Sequence, residues 1–274
     1  MNFFRNFLAS FLGSISALIL IISLVFFLLA GIASVATFDK NVLQDEITSN
    51  SILNLDLDKD VYDNIPITQE FEEILGVSPE IIKFLDLINA IESAGNNKDI
   101  NGINLKSQSP KMGWAQALTI RKSLQKFKDK GKFIYSYGDF FSQKGYYLAS
   151  VSDSIFLNPM GNIELRGLGA EVLYYKQLQE KYGFKMEVVR HGKYKSAVEP
   201  YLDDKMSEAN RNQIKSLLNS IWDGIGNQIK LSRKISSENF NKVVDNLDAT
   251  FPENAYRNNI IDGIVSKTQY KHKL

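Results

Sequence analysis

The chain has no cysteine and only two histidines, His191 and His272, far apart in sequence. Thiol catalysis, disulfides and thiolate metal sites are therefore excluded, and a histidine-rich metal site is not expected. A hydrolytic nucleophile would have to be serine or threonine. Its base would be a lysine, a carboxylate, or His191 in a Ser-His-Asp arrangement. A lysine serves as a base only where burial or neighbouring charge brings its pKa toward neutrality. Lys195 stands where such control could be exerted. It lies in Gly192-Lys193-Tyr194-Lys195-Ser196-Ala197-Val198-Glu199-Pro200, between a strand-like run and a long helix. Ser196 beside it either orients the amine or is a plain loop hydroxyl; the residues alone leave both open. Composition by itself does not separate Lys195 from the other lysines. Neither a G-x-x-x-x-G-K-[ST] loop nor a G-x-G-x-x-G turn is present, and Gly167-Leu168-Gly169 is only a fragment of the latter. The formal net charge of +1 gives no reason to expect a nucleic-acid partner. No cofactor or metal is expected.

The elements that must position Lys195 can be read from periodicity. Ile52 to Leu57 alternates as a strand, and Asp58 to Pro66 reads as a loop. Ser78-Pro79-Glu80 is expected to open a helix carrying Ile81, Ile82, Leu85, Ile88 and Ile91, closed by Gly95-Asn96-Asn97. Ile100 to Leu105 predicts a strand, Trp114 to Lys130 a helix, and Lys132 to Tyr137 a strand ending in a Gly138-Asp139 turn. Tyr146 to Val151 predicts a helix and Ser154 to Leu157 a strand. Beyond Gly161 the expectation is two short strand-like pieces, a helix over Val172 to Tyr182 and a strand over Lys185 to Arg190. Ser207 and Glu208 start a long helix to about Lys234, with an apolar stripe of Ile214, Leu217, Leu218, Ile221, Trp222, Ile225 and Ile229. Short helices around Ser237 to Asn246 and Glu253 to Asn259 follow. This strand-helix alternation argues for an α/β fold with a largely parallel sheet.

Between Arg5 and Asp39 there is no charged residue, and Leu18 to Leu29 is almost purely aliphatic and aromatic. A spanning helix needs about 20 apolar residues. Ser34-Val35-Ala36 offers a cleavable spacing, but the apolar stretch exceeds the roughly 7–15-residue core of a cleaved signal peptide. An uncleaved signal anchor is the expectation. Arg5 precedes the span, whereas Asp39, Asp45 and Glu46 follow it with Lys40, which places the N-terminus in the cytoplasm and the bulk outside. The expected organisation is residues 1–38 as cytoplasmic tip and anchor, 39–50 as linker, and 51–274 as one folded repeat.

The run from Tyr194 to Pro200, with Asp203, Asp204, Met206 and Ser207 after it, resembles the lysine segment of the signal peptide peptidase A family in its long, two-repeat form. Gly145-Tyr146-Tyr147-Leu148-Ala149-Ser150 and Gly167-Leu168-Gly169 through Lys176 also resemble its N-terminal repeat. The resemblance implies a Clp protease/crotonase-like fold of repeated ββα units behind one transmembrane helix. It implies a Ser/Lys dyad, with the first repeat donating the lysine general base, here Lys195. The second repeat would donate the serine, in a Gly-Asp-x-x-x-Ser-Gly-Gly-Tyr-Tyr setting. The counterpart here begins Gly138-Asp139 and puts Gln143 at the nucleophile position; Ser142 is one residue off, turned by about 100° on a helix. The chain ends where that second repeat would begin. Further implied are signal peptide remnants as substrates, a homo-oligomer, and a bacterial cytoplasmic membrane location with a periplasmic domain. Three alternatives stand beside this reading. One is a non-catalytic membrane-anchored scaffold that needs a serine-bearing partner. Another is an acyl-CoA enzyme on the same fold, which a secretory anchor disfavours. The last is a self-sufficient hydrolase using Ser142 with Lys195, or a serine with His191.

Overall fold

The computed structural model describes residues 2–38, 47–64, 81–189, 191–192 and 194–274. The chain divides into two units, one holding the N-terminal helix and the other residues 49–63 and 82–274. Helix α1 (Asn2–Phe38) contains Phe3–Gly31, 29 residues long and apolar enough to cross a membrane. At a rise of about 1.5 Å per residue, that length exceeds the roughly 30 Å hydrocarbon core. Its large apolar side chains from Phe3 to Leu29 are exposed.

The second unit is built on strands β1 (Ser51–Asp56), β4 (Ile100–Lys106), β5 (Phe133–Phe141), β6 (Ser154–Ile163) and β7 (Gly263–Ile264), all parallel and in that spatial order. A separate two-stranded sheet joins β2 (Asp60–Tyr62) and β3 (Ile81–Lys83). The α/β class is the one expected. Register sets the two faces. Leu55 lies beside Leu105, Leu105 beside Ser136 and Ser136 beside Ile155, all buried on one face. Helices α2 (Phe84–Asn96), α3 (Trp114–Asp129) and α4 (Gln143–Ala149) bury Leu87, Ile91, Ile120, Leu124, Phe127 and Tyr146 in the same core. The opposite face carries Asn54 and Asn104, joined at 2.8 Å. Tyr270 of α10 (Lys267–Lys271) covers part of that face, donating to Asn104 Oδ1 at 2.6 Å and stacking on Tyr137.

Helix α7 (Glu208–Arg233) is tied to the core by a buried cation. Arg121 of α3 is 4% exposed and donates to the Tyr147 carbonyl, to Ser150 Oγ (2.8 Å), to the Gln228 carbonyl (3.2 Å) and to Ser232 Oγ (2.7 Å). Its guanidinium also lies over the Tyr147 ring. Every one of these acceptors is neutral, and burial brings the Arg121 pKa down to about 10. Farther along, Arg233 makes a bidentate pair with Asp262 at 2.9 Å, and Asp262 also accepts the Ile155 N–H, docking the chain end on β6. Between and beyond these ties lie α8 (Ser237–Asp245), a 3-10 turn (Asp248–Thr250) and α9 (Pro252–Arg257).

Several local expectations are corrected. Ser78 to Glu80 lie outside the described residues, but Ile81 and Ile82 belong to strand β3, and the helix starts at Phe84. Gly138-Asp139 is a bulge within β5 and not a turn; the register slips between Gly138 and Phe140, and Gln108 Oε1 takes both freed amides, Asp139 N at 3.0 Å and Phe140 N at 3.2 Å. Beyond Ile163 the chain is irregular up to α5 (Lys176–Tyr182), so the helix expected over Val172 to Tyr182 is shorter. There the Tyr175 N–H is taken by the Pro200 carbonyl (2.6 Å), which prevents growth of the helix upstream. Residues 184–189 form no strand; Gln179 receives Met186 N instead (2.8 Å), and Val189 is fully exposed. Arg190 lies outside the described residues. The apolar stripe of α7 is buried only toward its end, at Ile225 and Ile229, whereas Leu217 and Ile221 are exposed.

Replacing Arg121 by alanine removes one donor from four buried or half-buried acceptors. It should lower unfolding stability by about 3 kcal/mol, measured by urea unfolding of the detergent-solubilised protein. Lys122→Ala at the next, exposed position should change it by less than about 0.5 kcal/mol.

Candidate active site

Position 143 and its neighbours sit at a tightly built corner. Helix α4 starts directly after β5, and Gly145 packs on the backbone of residues 107 and 108. A Cβ there would collide with both carbonyl oxygens. The contact is held by Ser142 N donating to the Gln108 carbonyl (2.8 Å) and Ser107 Oγ donating to the Gly145 carbonyl (3.3 Å). Ser142 is the N-cap of α4, and its Oγ accepts the Gly145 N–H at 3.1 Å. It therefore precedes the helix and is not part of it. Gln143 is committed as well. Its Oε1 accepts the N–H groups of Arg166 (3.1 Å) and Gly167 (3.0 Å), and its Nε2 donates to the Gly167 carbonyl at 3.0 Å. Lys144 donates to the Met112 carbonyl with its amine over the Trp114 ring, and burial pushes that amine below its ordinary pKa. This corner thus holds a hydroxyl, an amide and an amine, each engaged with backbone.

Lys195 lies elsewhere, on the excursion between β6 and α7. Gly192, at φ +91°, sets a tight turn in which Lys195 N donates to the Gly192 carbonyl (3.3 Å). A left-handed backbone of this kind suits glycine. After the turn comes the single-turn helix α6 (Glu199–Leu202). Lys195 is exposed and opens on a cleft of about 720 Å³ whose lining includes Val188, Val189, His191, Tyr194 and Ser196. Lys195, Ser196 and His191 thus share one cleft. The Ser196 carbonyl accepts the Glu199 N–H at 3.0 Å. His272 is the exposed C-cap residue of α10. Among the described residues, no hydrogen bond joins Ser142 to Lys195 or His191, and no group of His, Asp and Glu is arranged to hold a metal ion.

Two contributors were not legible beforehand. Gln108, in the loop after β4, serves the β5 bulge. Glu199, read only as part of a motif, is 1% exposed. A carboxylate immediately before proline gives no periodic signal of burial.

The class these observations define is an α/β domain with a parallel sheet, an open lysine cleft and a backbone-committed corner. Comparison narrows it: residues 126–274 match Peptidase family S49, and the chain belongs to that family. It is 34% identical over 175 residues to "Protease 4" of Salmonella typhi, covering 61% of this chain and 28% of that one. It is 32% identical over 198 residues to "Protease 4" of Haemophilus influenzae, covering 70% of this chain and 32% of that one. The chain thus spans about a third or less of the length of these relatives. Among solved structures, a mutant of the 1510-N membrane-bound stomatin-specific protease matches with a TM-score of 0.42 at 12% identity, covering 82% of this chain and 85% of that one.

Ser142→Ala should cost about 1 kcal/mol of stability by loss of the N-cap. Gln143→Ala, which removes three hydrogen bonds to residues 166 and 167, should cost about 2 kcal/mol. Both are measurable by thermal unfolding, and the larger loss at Gln143 is the distinguishing outcome.

Proposed function

We propose that this chain is the base-bearing part of a membrane-anchored serine peptidase of the signal peptide peptidase A type. Lys195 is the general base of a Ser/Lys dyad. The serine comes from a second copy of the fold, in the same polypeptide or in a neighbouring one. In the reaction, the neutral Lys195 amine takes the proton from the serine hydroxyl as its oxygen attacks a peptide carbonyl. The amine then returns that proton to the departing amide nitrogen, and water resolves the acyl-enzyme. Backbone N–H groups near the serine stabilise the oxyanion. Docking of the serine-bearing part over the open cleft would desolvate the lysine, as a lysine base requires. Residues 51–274 act as one lysine-bearing repeat, Ser196 orients the amine, and assembly is homo-oligomeric. Helix α1 is the anchor, with the catalytic part on the extracytoplasmic side of a bacterial cytoplasmic membrane. Substrates are apolar signal peptide remnants, which a tethered enzyme meets where they are released.

The observation that carries this reading is the division within the chain. The lysine of the family-like segment faces an open cleft, whereas Gln143 at the nucleophile position is bound to Arg166 and Gly167. A glutamine amide cannot act as an acyl nucleophile.

In the full-length gene product, Lys195→Ala should reduce hydrolysis of an apolar reporter peptide by at least about 1000-fold. Ser142→Ala should leave it within about twofold, the change expected of a lost N-cap alone. Unchanged hydrolysis in Lys195→Ala would favour the scaffold reading. Lost hydrolysis in Ser142→Ala would instead favour a dyad contained in this chain.

A further inference from the structure

Lys195 itself is exposed, but the turn that follows it is fastened by a buried charge. Glu199, the first residue of α6, is 1% exposed. Its carboxylate accepts Ser207 Oγ at 2.5 Å, Ser207 N at 3.3 Å and Asn210 Nδ2 at 3.0 Å. Ser207 is the N-cap of α7, and its Oγ in turn accepts the Asn210 N–H at 3.2 Å. The carboxylate therefore sits over the first turn of a long helix, where the unsatisfied N–H groups and the helix dipole favour negative charge. A carboxylate is costly to bury unless such donors meet it. A solvated loop would gain nothing from placing one there.

The same turn is held from its other side. Tyr175 N donates to the Pro200 carbonyl at 2.6 Å, and Gln179 Nε2 to the Tyr201 carbonyl at 2.7 Å. Lys176 pairs with Asp204 at 3.2 Å. In this set Glu199 alone is a buried charge, and it is the residue closest in sequence to Lys195. Its own N–H returns to the Ser196 carbonyl, so a hydrogen-bonded turn over residues 196–199 links the carboxylate to the residue directly after Lys195. We infer that Glu199 is the positioning residue for Lys195: its carboxylate clamps the lysine turn onto the N-terminus of α7 and so fixes where the amine enters the cleft. This rests on the reading of Lys195 as the base. The role assigned to Glu199 is exerted through the turn and not on substrate.

The test uses the full-length protein in detergent, with an apolar fluorogenic peptide as probe and amide hydrogen exchange as a second readout. Glu199→Ala should lower kcat by about 100-fold, the scale of a small misplacement of a catalytic group, with KM within about twofold. Exchange should rise at 194–210 and stay unchanged in β4 and β5. Glu199→Gln keeps an acceptor for Ser207 and should recover most of kcat, which loss of fold alone would not predict. If Glu199→Ala does not fold, Ser207→Ala carries the test, with an expected loss of about tenfold in kcat and the same local rise in exchange. Wild-type kcat and exchange in Glu199→Ala, or in Ser207→Ala where that variant must serve, would overturn the inference. Failure of the base reading looks different: Lys195→Ala would then retain activity, whatever Glu199→Ala does to exchange.

Discussion

The approach of Gly145 to the carbonyls of Ser107 and Gln108 is the contact on which the rest of this fold depends. It lets α4 start immediately after β5 and lie against the loop leaving β4. Once that backbone contact is made, the next two residues are aimed by geometry. Tyr146, fully buried, donates to the Ile260 carbonyl at 2.8 Å, and Tyr147 donates to Gln228 Oε1 at 2.7 Å. One reaches the segment that leads into β7 and the other reaches α7. Arg121 adds its four bonds at the same junction. A helix this short has little stability of its own. Here it acts as a hub because its first turn is packed backbone to backbone and its two tyrosines carry polar tips to distant elements.

That corner also explains what a glutamine does at position 143. In a strand-to-helix turn, the first helical residues present their side chains outward while the N–H groups of the helix start remain unsatisfied. An amide is long enough to cross to the chain that leaves β6, and Gln143 uses both of its polar atoms there. The amide thus acts as a staple between the start of α4 and the chain beyond β6. The staple holds Arg166 and Gly167, the point where the chain leaves the sheet on its way to the lysine cleft.

Much of this was legible in the sequence, and the parts that were not have physical causes. The buried faces of β1, β4, β5 and β6 and the core of α3 follow from periodicity, because each element packs one side on a shared core; in α2 only Ile91 of the expected stripe is buried, Leu85 is exposed and Leu87 takes the core position. The cap Ser207 was similarly readable, since a cap is a local bond. The failures lie where a distant partner decides. Gly138-Asp139 looks like a turn until Gln108, from another loop, supplies an acceptor to both amides. Val172 to Tyr175 has helical texture, yet the Pro200 carbonyl claims the Tyr175 amide. Met186 to Val189 alternates like a strand, but a strand needs a neighbour, and Gln179 takes its amide instead. Within the candidate site, Lys195 and the motif around it could be found from sequence. The burial of Glu199 could not, because it depends on where α7 begins in space.

These observations divide the folded part into a rigid portion and a tethered one. The described residues from β1 to β6 share a continuous core. Among the described residues from Gly167 to Ser207, the ties include Gln143 at the start, Tyr175 and Gln179 with α6 in the middle, where the Tyr175 and Tyr201 rings also stack, and Glu199 with Ser207 and Asn210 at the end. Backbone–backbone and side-chain hydrogen bonds in half-buried settings each contribute modestly, about 1 kcal/mol net. A segment fastened that way keeps its geometry only while its strongest tie is intact. The strongest is the one whose loss would strand a buried charge, and that is the carboxylate of Glu199. A lysine on such a segment is placed accurately without being enclosed. An exposed amine at the end of a fixed turn can be covered and desolvated by an incoming surface, whereas an amine already sealed in the core could not meet one.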